Sequence, residues 1–150
     1  MPKEETVSKK EFNELSRRVT RLAKKWRRIL LLDHWDIKVI AVNDRADDEH
    51  GSYHPQDVNG YWDVVASTAS DPYYMTASIS VYIPVIRDFT DDRIEESLIH
   101  EFMHIYVSPM VKGKHLKEEE AVVTLLARTL MSLNESNNKK PRPSSSPTPA

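Results

Sequence analysis

The chain has 150 residues, a formal net charge of −2 and no cysteine, and 39% of its residues are hydrophobic. These values predict one domain with a modest core, and they exclude disulfides, thiolate metal ligands and a cysteine nucleophile. No apolar run approaches the roughly 18–20 residues that span a bilayer, and the first residues lack the apolar stretch of a signal peptide. We therefore expect a soluble, cytoplasmic protein without a membrane partner.

An amphipathic helix is predicted for residues 8–32. Apolar residues recur there at intervals of three and four, from Phe12 to Leu30, which is the spacing of one buried helix face. The opposite face is rich in lysine and arginine. We interpret it as a solvated face and do not expect nucleic acid as a partner, because no aromatic interleaving or known binding motif accompanies it.

Three strands are predicted to follow. Residues 35–42 alternate and are β-branched, and residues 60–67 have a weaker pattern of the same kind. A turn signal at residues 70–72 precedes the strongest strand, residues 75–86. Pro84 near its end favours an edge position, because proline cannot donate a hydrogen bond to a neighbouring strand.

Two further helices complete the predicted domain. The first begins near Thr90 or Asp92, either of which can cap it, and ends at Ser108–Pro109. The second covers residues 116–133. Helices and strands in this order predict an α+β fold in which a small sheet packs against helices.

The predicted domain covers residues 9–133. Residues 1–8 are predicted to be a flexible terminus. Residues 134–150 form a proline- and serine-rich segment that is too polar to pack, so a disordered tail is expected.

The sequence His100–Glu101–Phe102–Met103–His104 falls within the first of these two helices. Residues four apart lie on one helix face, so the two imidazoles can bind one metal ion together. This H-E-x-x-H spacing predicts a zinc site in which Glu101 acts as general base on a metal-activated water. We expect one Zn²⁺ ion, held by three protein ligands with a fourth position left for water.

The third ligand is expected from the start of the last helix. At about 100° per residue, Glu119 projects within about 30° of the mean direction of the apolar residues of that helix. A buried carboxylate is costly unless it is paired or bound to metal. We therefore place Glu119 first as the third ligand, with Glu118, Glu120 and His115 as alternatives.

With these residues, the segment from Trp35 to Leu133 resembles the zincin metallopeptidases, particularly the glutamate-ligand (gluzincin-like) branch. It is similar in layout to ImmA/IrrE-type peptidases, SprT-like domains and phage and prophage metallopeptidase-like proteins. The resemblance implies a zincin-like minimal fold, in which a small mixed sheet with an edge strand packs against the amino-terminal helix, the H-E-x-x-H helix and a glutamate-bearing helix. It also implies that an extended peptide or protein substrate binds along residues 75–86 by β-augmentation.

The chain departs from these families at specific positions. ImmA/IrrE-type proteins carry Asn or Asp after the alanine that follows the ligand, whereas Ala121 is followed here by Val122. Several residues are therefore candidates for orienting the histidines or for stabilising an oxyanion. The orienting candidates are Asp63, Asp71 and Asp92, and the oxyanion candidates are Tyr73, Tyr74, Tyr82, Tyr106 and His54.

Two functional hypotheses follow. The first is a zinc-dependent metallopeptidase that hydrolyses peptide bonds, with Glu101 as general base. The alternative is a catalytically weak or inactive, metal-stabilised protein-interaction module.

Overall fold

The computed structural model describes residues 6–44, 64–111 and 118–139. This part of the chain is a mixed α+β structure, as the sequence predicted, with a small three-stranded mixed sheet. Its elements in chain order are α1 (Lys9–Ile29), β1 (Asp36–Val42), β2 (Ala66–Asp71), β3 (Thr76–Tyr82), α2 (Ile83–Ile86), α3 (Asp91–Val111) and α4 (Glu119–Lys139).

Helix α1 begins directly after Ser8, whose hydroxyl accepts a hydrogen bond from the backbone N–H of Glu11 at 3.3 Å. This is the usual way in which an unpaired first-turn N–H is satisfied. Most of the predicted apolar stripe is buried, but Ile29 at its end is exposed and the helix ends there rather than at residue 32. The buried residues of the helix are Leu15, Val19, Leu22, Ala23 and Trp26. Before the helix, Val7 is also buried and its backbone bonds to the side chain of Asn43, so the final residues of the predicted flexible terminus pack against the end of β1.

The strand order is β1–β3–β2, with β3 parallel to β1 and antiparallel to β2. Strand β3 is therefore central, and the prediction that residues 75–86 form an edge strand is wrong. The proline that suggested an edge lies beyond the strand, in the first turn of α2. A missing N–H costs little there, because first-turn N–H groups have no acceptor within the helix.

Strand β2 begins later than the sequence predicted. It covers Ala66–Asp71 rather than residues 60–67, and residues 60–63 lie outside the described part of the chain. The turn between β2 and β3 occupies residues 72–75 rather than 70–72. Apart from Thr68, strand β2 consists of small and polar residues with weak intrinsic strand preference, so its pairing with β3 determines its position.

Helix α3 begins where the sequence predicted it. The Thr90 hydroxyl accepts from the backbone N–H of Arg93 at 3.4 Å. The predicted stop at Ser108–Pro109 is wrong, because Pro109 lies inside a helix that continues to Val111. A proline in the last turn removes one backbone hydrogen bond, and only a short part of the helix follows it, so the cost is small.

Helix α4 continues past its predicted end at Leu133 to Lys139, so residues 134–139 are helical. No residue before Pro141 prevents helix formation, and Lys139 in the last turn suits the negative end of the helix dipole. The rest of the predicted tail, residues 140–150, lies outside the described residues, as do residues 1–5 and the predicted helix start at 116–117.

The core lies between α1, the sheet and α3. Ala77, Ile79 and Val81 of β3 point into it, and Phe102 of α3 is fully buried. At the edge of the core, part of the predicted solvated basic face of α1 pairs with α3, as in the 2.8 Å contact between Lys25 and Glu95. None of the described helices is both long enough and apolar enough to cross a membrane.

Candidate metal centre

The two histidines of the motif lie one helical turn apart, on the side of α3 that contacts α4. Glu101 is rotated about 100° from His100 around the helix, and its carboxylate contacts Thr68 of β2. The candidate site is therefore built from three elements, with α3 between a strand and a second helix.

Three side chains converge at this point. The Nε2 atoms of His100 and His104 lie 3.2 Å apart. The Glu120 carboxylate lies 3.0 Å from His100 Nε2 and 3.2 Å from His104 Nε2. Donor atoms bound at about 2.1 Å to a tetrahedral zinc ion lie about 3.4 Å from one another. Two imidazoles and one carboxylate at this spacing therefore suit zinc, with a fourth position left for water.

The other nitrogen of each histidine is held by α4. Glu119 Oε1 lies 2.7 Å from His104 Nδ1, and Thr124 Oγ1 lies 3.3 Å from His100 Nδ1. Partners of this kind fix the ring orientation and the tautomer of metal-binding histidines. Both Nε2 atoms are thus directed towards the Glu120 carboxylate.

The structure separates the roles of the acidic residues at the start of α4. Glu120, an alternative in the sequence analysis, is the residue whose carboxylate contacts both Nε2 atoms. Glu119, the residue placed first, contacts Nδ1 of His104 instead. Glu118 is exposed, and His115 lies outside the described residues. In this geometry, Glu119 contacts the far side of the His104 ring and is not one of the three converging groups.

Glu119 was predicted as the ligand instead of Glu120 because the buried face of α4 was placed at the wrong angle. The predicted direction averaged all apolar residues of the helix, but Val122, Leu125, Leu126 and Leu133 are exposed in the structure. Only Val123 and Ala127 are buried in α4. Measured from the mean direction of these two residues at 100° per residue, Glu120 lies about 40° away and Glu119 about 60° away.

The acidic surroundings change the protonation of the site. Burial alone lowers the pKa of His104, but hydrogen bonds to Glu120 and Glu119 outweigh burial and raise this pKa to about 9. Burial acts to raise the pKa of Glu120, yet its hydrogen bonds to His100 and His104 hold it well below its usual value. Without metal, these carboxylates therefore favour the protonated form of His104 at neutral pH.

Glu101 lies in a different environment. Its side chain is buried, and Thr68 Oγ1 donates to its Oε2 atom at 2.5 Å and lies 3.3 Å from its backbone carbonyl. Burial raises the pKa of Glu101, and the hydrogen bond from Thr68 opposes part of that rise. A buried carboxylate with a raised pKa beside a metal site is suited to general-base chemistry at neutral pH.

Two residues of the site, Thr68 and Thr124, were not predicted from the sequence. Thr124 follows Glu120 by four residues, so the two lie on one face of α4, and this spacing was a usable signal. Thr68 offered no such signal, because it lies just beyond the end of the strand predicted at residues 60–67.

The residues predicted to orient the histidines or to stabilise an oxyanion have other contacts or are exposed, as far as the structure describes them. Asp71 accepts from the backbone N–H of Tyr73 at 3.0 Å, and Asp92 is exposed. Tyr106 donates its hydroxyl to the carbonyl of Leu30 after α1. The remaining tyrosines are Tyr73 and Tyr74, which are exposed, and Tyr82, whose hydroxyl lies 3.4 Å from Ser67; His54 and Asp63 lie outside the described residues.

A cleft of about 340 Å³ adjoins the ligand group. His100, Glu101 and Thr124 line one part of it, and Val65 and Ala66 line it at the start of β2. A groove of this size accommodates a few residues of an extended chain rather than a folded protein.

Comparison with known proteins does not assign the chain to a family. No protein-family model matches the sequence, and searches of the curated proteins and of the solved structures found no match either. The function is therefore inferred from the geometry and chemistry of the site.

Proposed function

We propose that this protein is a zinc-dependent metallopeptidase with a zincin-like arrangement, in which His100, His104 and Glu120 bind one Zn²⁺ ion. The observation that carries the proposal is the convergence of three donor groups at 3.0–3.2 Å spacing. In addition, Glu119 and Thr124 contact the Nδ1 atoms of the two histidines and so orient both rings. A chance cluster of acidic residues at the surface would not need such partners.

The chemistry follows from the donor set and from Glu101. When bound, zinc supplies Lewis acidity that lowers the pKa of a water molecule and polarises a substrate carbonyl. Glu101 accepts the proton of the attacking water and delivers it to the departing amine nitrogen. Thr68 fixes the orientation of this carboxylate.

The proposed substrate path differs from the one predicted along residues 75–86. Both sides of β3 are paired, so its backbone is not free to bind a peptide. Within the described residues, β2 pairs only with β3 and its first residue lines the cleft. We therefore assign substrate binding by β-augmentation to β2.

The test compares zinc content and peptide cleavage in four forms of the chain. In Glu101→Gln we expect stoichiometric zinc, and turnover of a mixed peptide library that is about 10²- to 10⁴-fold lower. We expect Glu120→Gln to lose zinc. Glu119→Gln should keep zinc with about 10- to 100-fold weaker affinity, because it removes a partner of a ligand rather than a ligand.

Each outcome distinguishes the hypotheses. Full cleavage by Glu101→Gln would contradict its role as general base. Zinc binding without cleavage by the wild type would favour the metal-stabilised interaction module. Zinc that is lost in Glu119→Gln and unchanged in Glu120→Gln would return the third ligand to Glu119.

A further inference from the structure

The cleft beside the candidate metal centre has a cationic end that zinc chemistry does not use. Arg93 of α3 and Arg128 of α4 both line the cleft, together with His100, Glu101 and Thr124. Two arginines from different helices thus line the same cleft as one proposed ligand, His100, and the proposed base, Glu101.

The position of this end follows from the two helices. Helices α3 and α4 run antiparallel, because Glu119 contacts His104 while Arg128 contacts Glu96. Arg93 precedes His100 by seven residues, which is about 10 Å along α3, and Arg128 follows Thr124 by four residues, which is about 6 Å along α4. Because Thr124 lies beside His100, the cationic end is displaced by about 6–10 Å from His100 along the helix axes.

The two arginines differ in their partners. The Arg128 guanidinium lies 3.1 Å from Glu96, which also lines the cleft. Arg93 lies over the ring of Phe89 at 3.9 Å, and no carboxylate pairs with it in the part of the chain that the structure describes. Arginine stacked on an aromatic ring keeps its planar donors free for a carboxylate, which it binds through two parallel hydrogen bonds. The three charges at this end sum to +1.

We propose that this end of the cleft is a subsite for a carboxylate of the substrate, with Arg93 as its main ligand and Arg128 as a second donor. The inference rests on the proposed peptidase function. At about 3.3 Å per extended residue, 6–10 Å places the carboxylate two or three residues from the bond that is cleaved. The carboxylate comes from an aspartate or glutamate side chain, or from the carboxyl terminus of the substrate.

The first experiment measures binding without turnover. The arginine Nε–H signals of the full-length, zinc-loaded protein are followed by NMR during titration with N-acetylglutamate α-amide, N-acetylalanine and N-acetylglutamine amide. We expect the Arg93 and Arg128 signals to move with one or both carboxylate probes and not with the neutral amide. The response of the first two probes separates a side-chain carboxylate from a terminal one.

Variants connect the response to the cleft. Arg93→Ala should weaken carboxylate binding by about tenfold to a hundredfold, the usual effect of losing a charged hydrogen-bond partner. Arg17→Ala is the matched control, because Arg17 is an exposed arginine on α1 outside the cleft, and it should leave binding unchanged. An equal response to the neutral amide, or unchanged binding in Arg93→Ala, would overturn the subsite.

The second experiment separates failure of the subsite from failure of the peptidase. In a mixed peptide library, the wild type should favour acidic residues, or a free carboxyl terminus, two or three residues from the cut. Arg93→Ala should lose this preference and keep its zinc. Cleavage without the preference overturns the subsite alone, whereas carboxylate binding without any cleavage supports the subsite and overturns the peptidase.

Discussion

The two glutamates that begin α4 contact different nitrogens of the same imidazole. Glu120 lies beside Nε2 of His104, whereas Glu119 lies beside Nδ1 of this ring. A carboxylate beside Nε2 can itself bind a metal ion together with that nitrogen. A carboxylate beside Nδ1 instead orients the ring and increases its basicity. Adjacent residues of one helix thereby contact both nitrogens of the His104 ring.

Zinc binding should release a proton from this ring. The pKa of His104 is raised to about 9, so below that pH the metal-free ring is protonated and must lose its proton to bind zinc. Zinc affinity should therefore rise with pH up to about 9, by no more than about tenfold per pH unit for this single proton. Calorimetry at pH 7 in two buffers of different ionisation enthalpy should give about one proton released per zinc. Release that does not fall as the pH approaches 9 would contradict the assignment.

Thr68 should act as a positioning residue for Glu101. Thr68→Val keeps the shape of the side chain but removes the hydroxyl that donates to the carboxylate. We expect kcat to fall about tenfold, with KM and zinc content nearly unchanged, since one hydrogen bond to a charged group is lost. The loss of this hydrogen bond also raises the pKa of Glu101 further, so the acidic limb of the pH–rate profile should move to higher pH.

Thr68→Ser is the control for this prediction. Serine restores the hydroxyl without the methyl group, so it should recover most of the rate and return the acidic limb towards its wild-type position. A Thr68→Ser variant as slow as Thr68→Val would show that packing, rather than the hydroxyl, accounts for the effect.

The sequence was sufficient for the part of the cluster that depends on local geometry. His100, Glu101 and His104 are placed by helix spacing alone. The carboxylate that meets both histidines depends on which face of α4 is buried, and that face is determined by packing against α3. Thr68 contacts Glu101 across a sequence separation of 33 residues, which no periodic pattern encodes.

At the scale of whole elements, the starts of helices α1 and α3 were predicted more closely than the order of strands. Ser8 and Thr90 cap α1 and α3 by contacts within three residues of sequence, so these starts are local properties. The central position of β3 depends on a parallel partner, β1, from more than thirty residues earlier in the chain. The alternating pattern of β3 predicted a strand but carried no information about its neighbours.

The junction of α1 with α3 should make stability depend on pH in acid. The hydrogen bond from Arg18, reinforced by Arg21, lowers the pKa of Asp91 from its ordinary value of 3.8. The folded chain therefore binds this proton less readily than the unfolded chain, so the pair stabilises the fold fully above about pH 4. This stabilisation is lost as the pH falls through the lowered pKa.

Asp91→Asn should remove this contribution. Because Asp91 is 46% exposed, we expect a loss of about 0.5–1 kcal/mol in unfolding free energy at pH 7. The loss should shrink towards zero near pH 2, as measured by urea unfolding at both pH values. Asp92→Asn is the matched control, because Asp92 is an exposed acid in the same first turn and its removal changes the helix-dipole interaction equally. Equal effects of the two variants would refute a specific role for the Arg18 pair.

For the molecule as a whole, the core and the candidate metal centre depend on different elements. Helices α1 and α3 and strand β3 supply most of the buried apolar residues. Helix α4 contributes Val123 and Ala127 as buried residues, with Leu130 and Met131 partly buried. Polar contacts with α3 through Glu119, Glu120, Thr124 and Arg128 therefore add to a small apolar contact.

Zinc should consequently stabilise α4 more than the rest of the fold. A ligand that binds only the folded state adds RT ln(1 + [L]/Kd), or about 2.7 kcal/mol at a hundredfold excess over Kd. If α4 separates from α3 in a local opening that breaks the site, this energy adds to the cost of that opening. Hydrogen exchange of α4 amides should then slow by up to about a hundredfold with zinc. Amides of α1 that exchange through openings that leave the site intact should change little.

The matched variant is His104→Ala, which removes one proposed ligand and should abolish the zinc effect on α4 exchange. Its α1 exchange without zinc should remain close to that of the wild type, because the α1 stripe packs in the core and His104 faces α4. If zinc slowed exchange equally in α1 and α4 of the wild type, both helices would open together, and α4 would be an integral part of the cooperative core. If zinc slowed α4 exchange in His104→Ala as strongly as in the wild type, the cation would be bound by other residues.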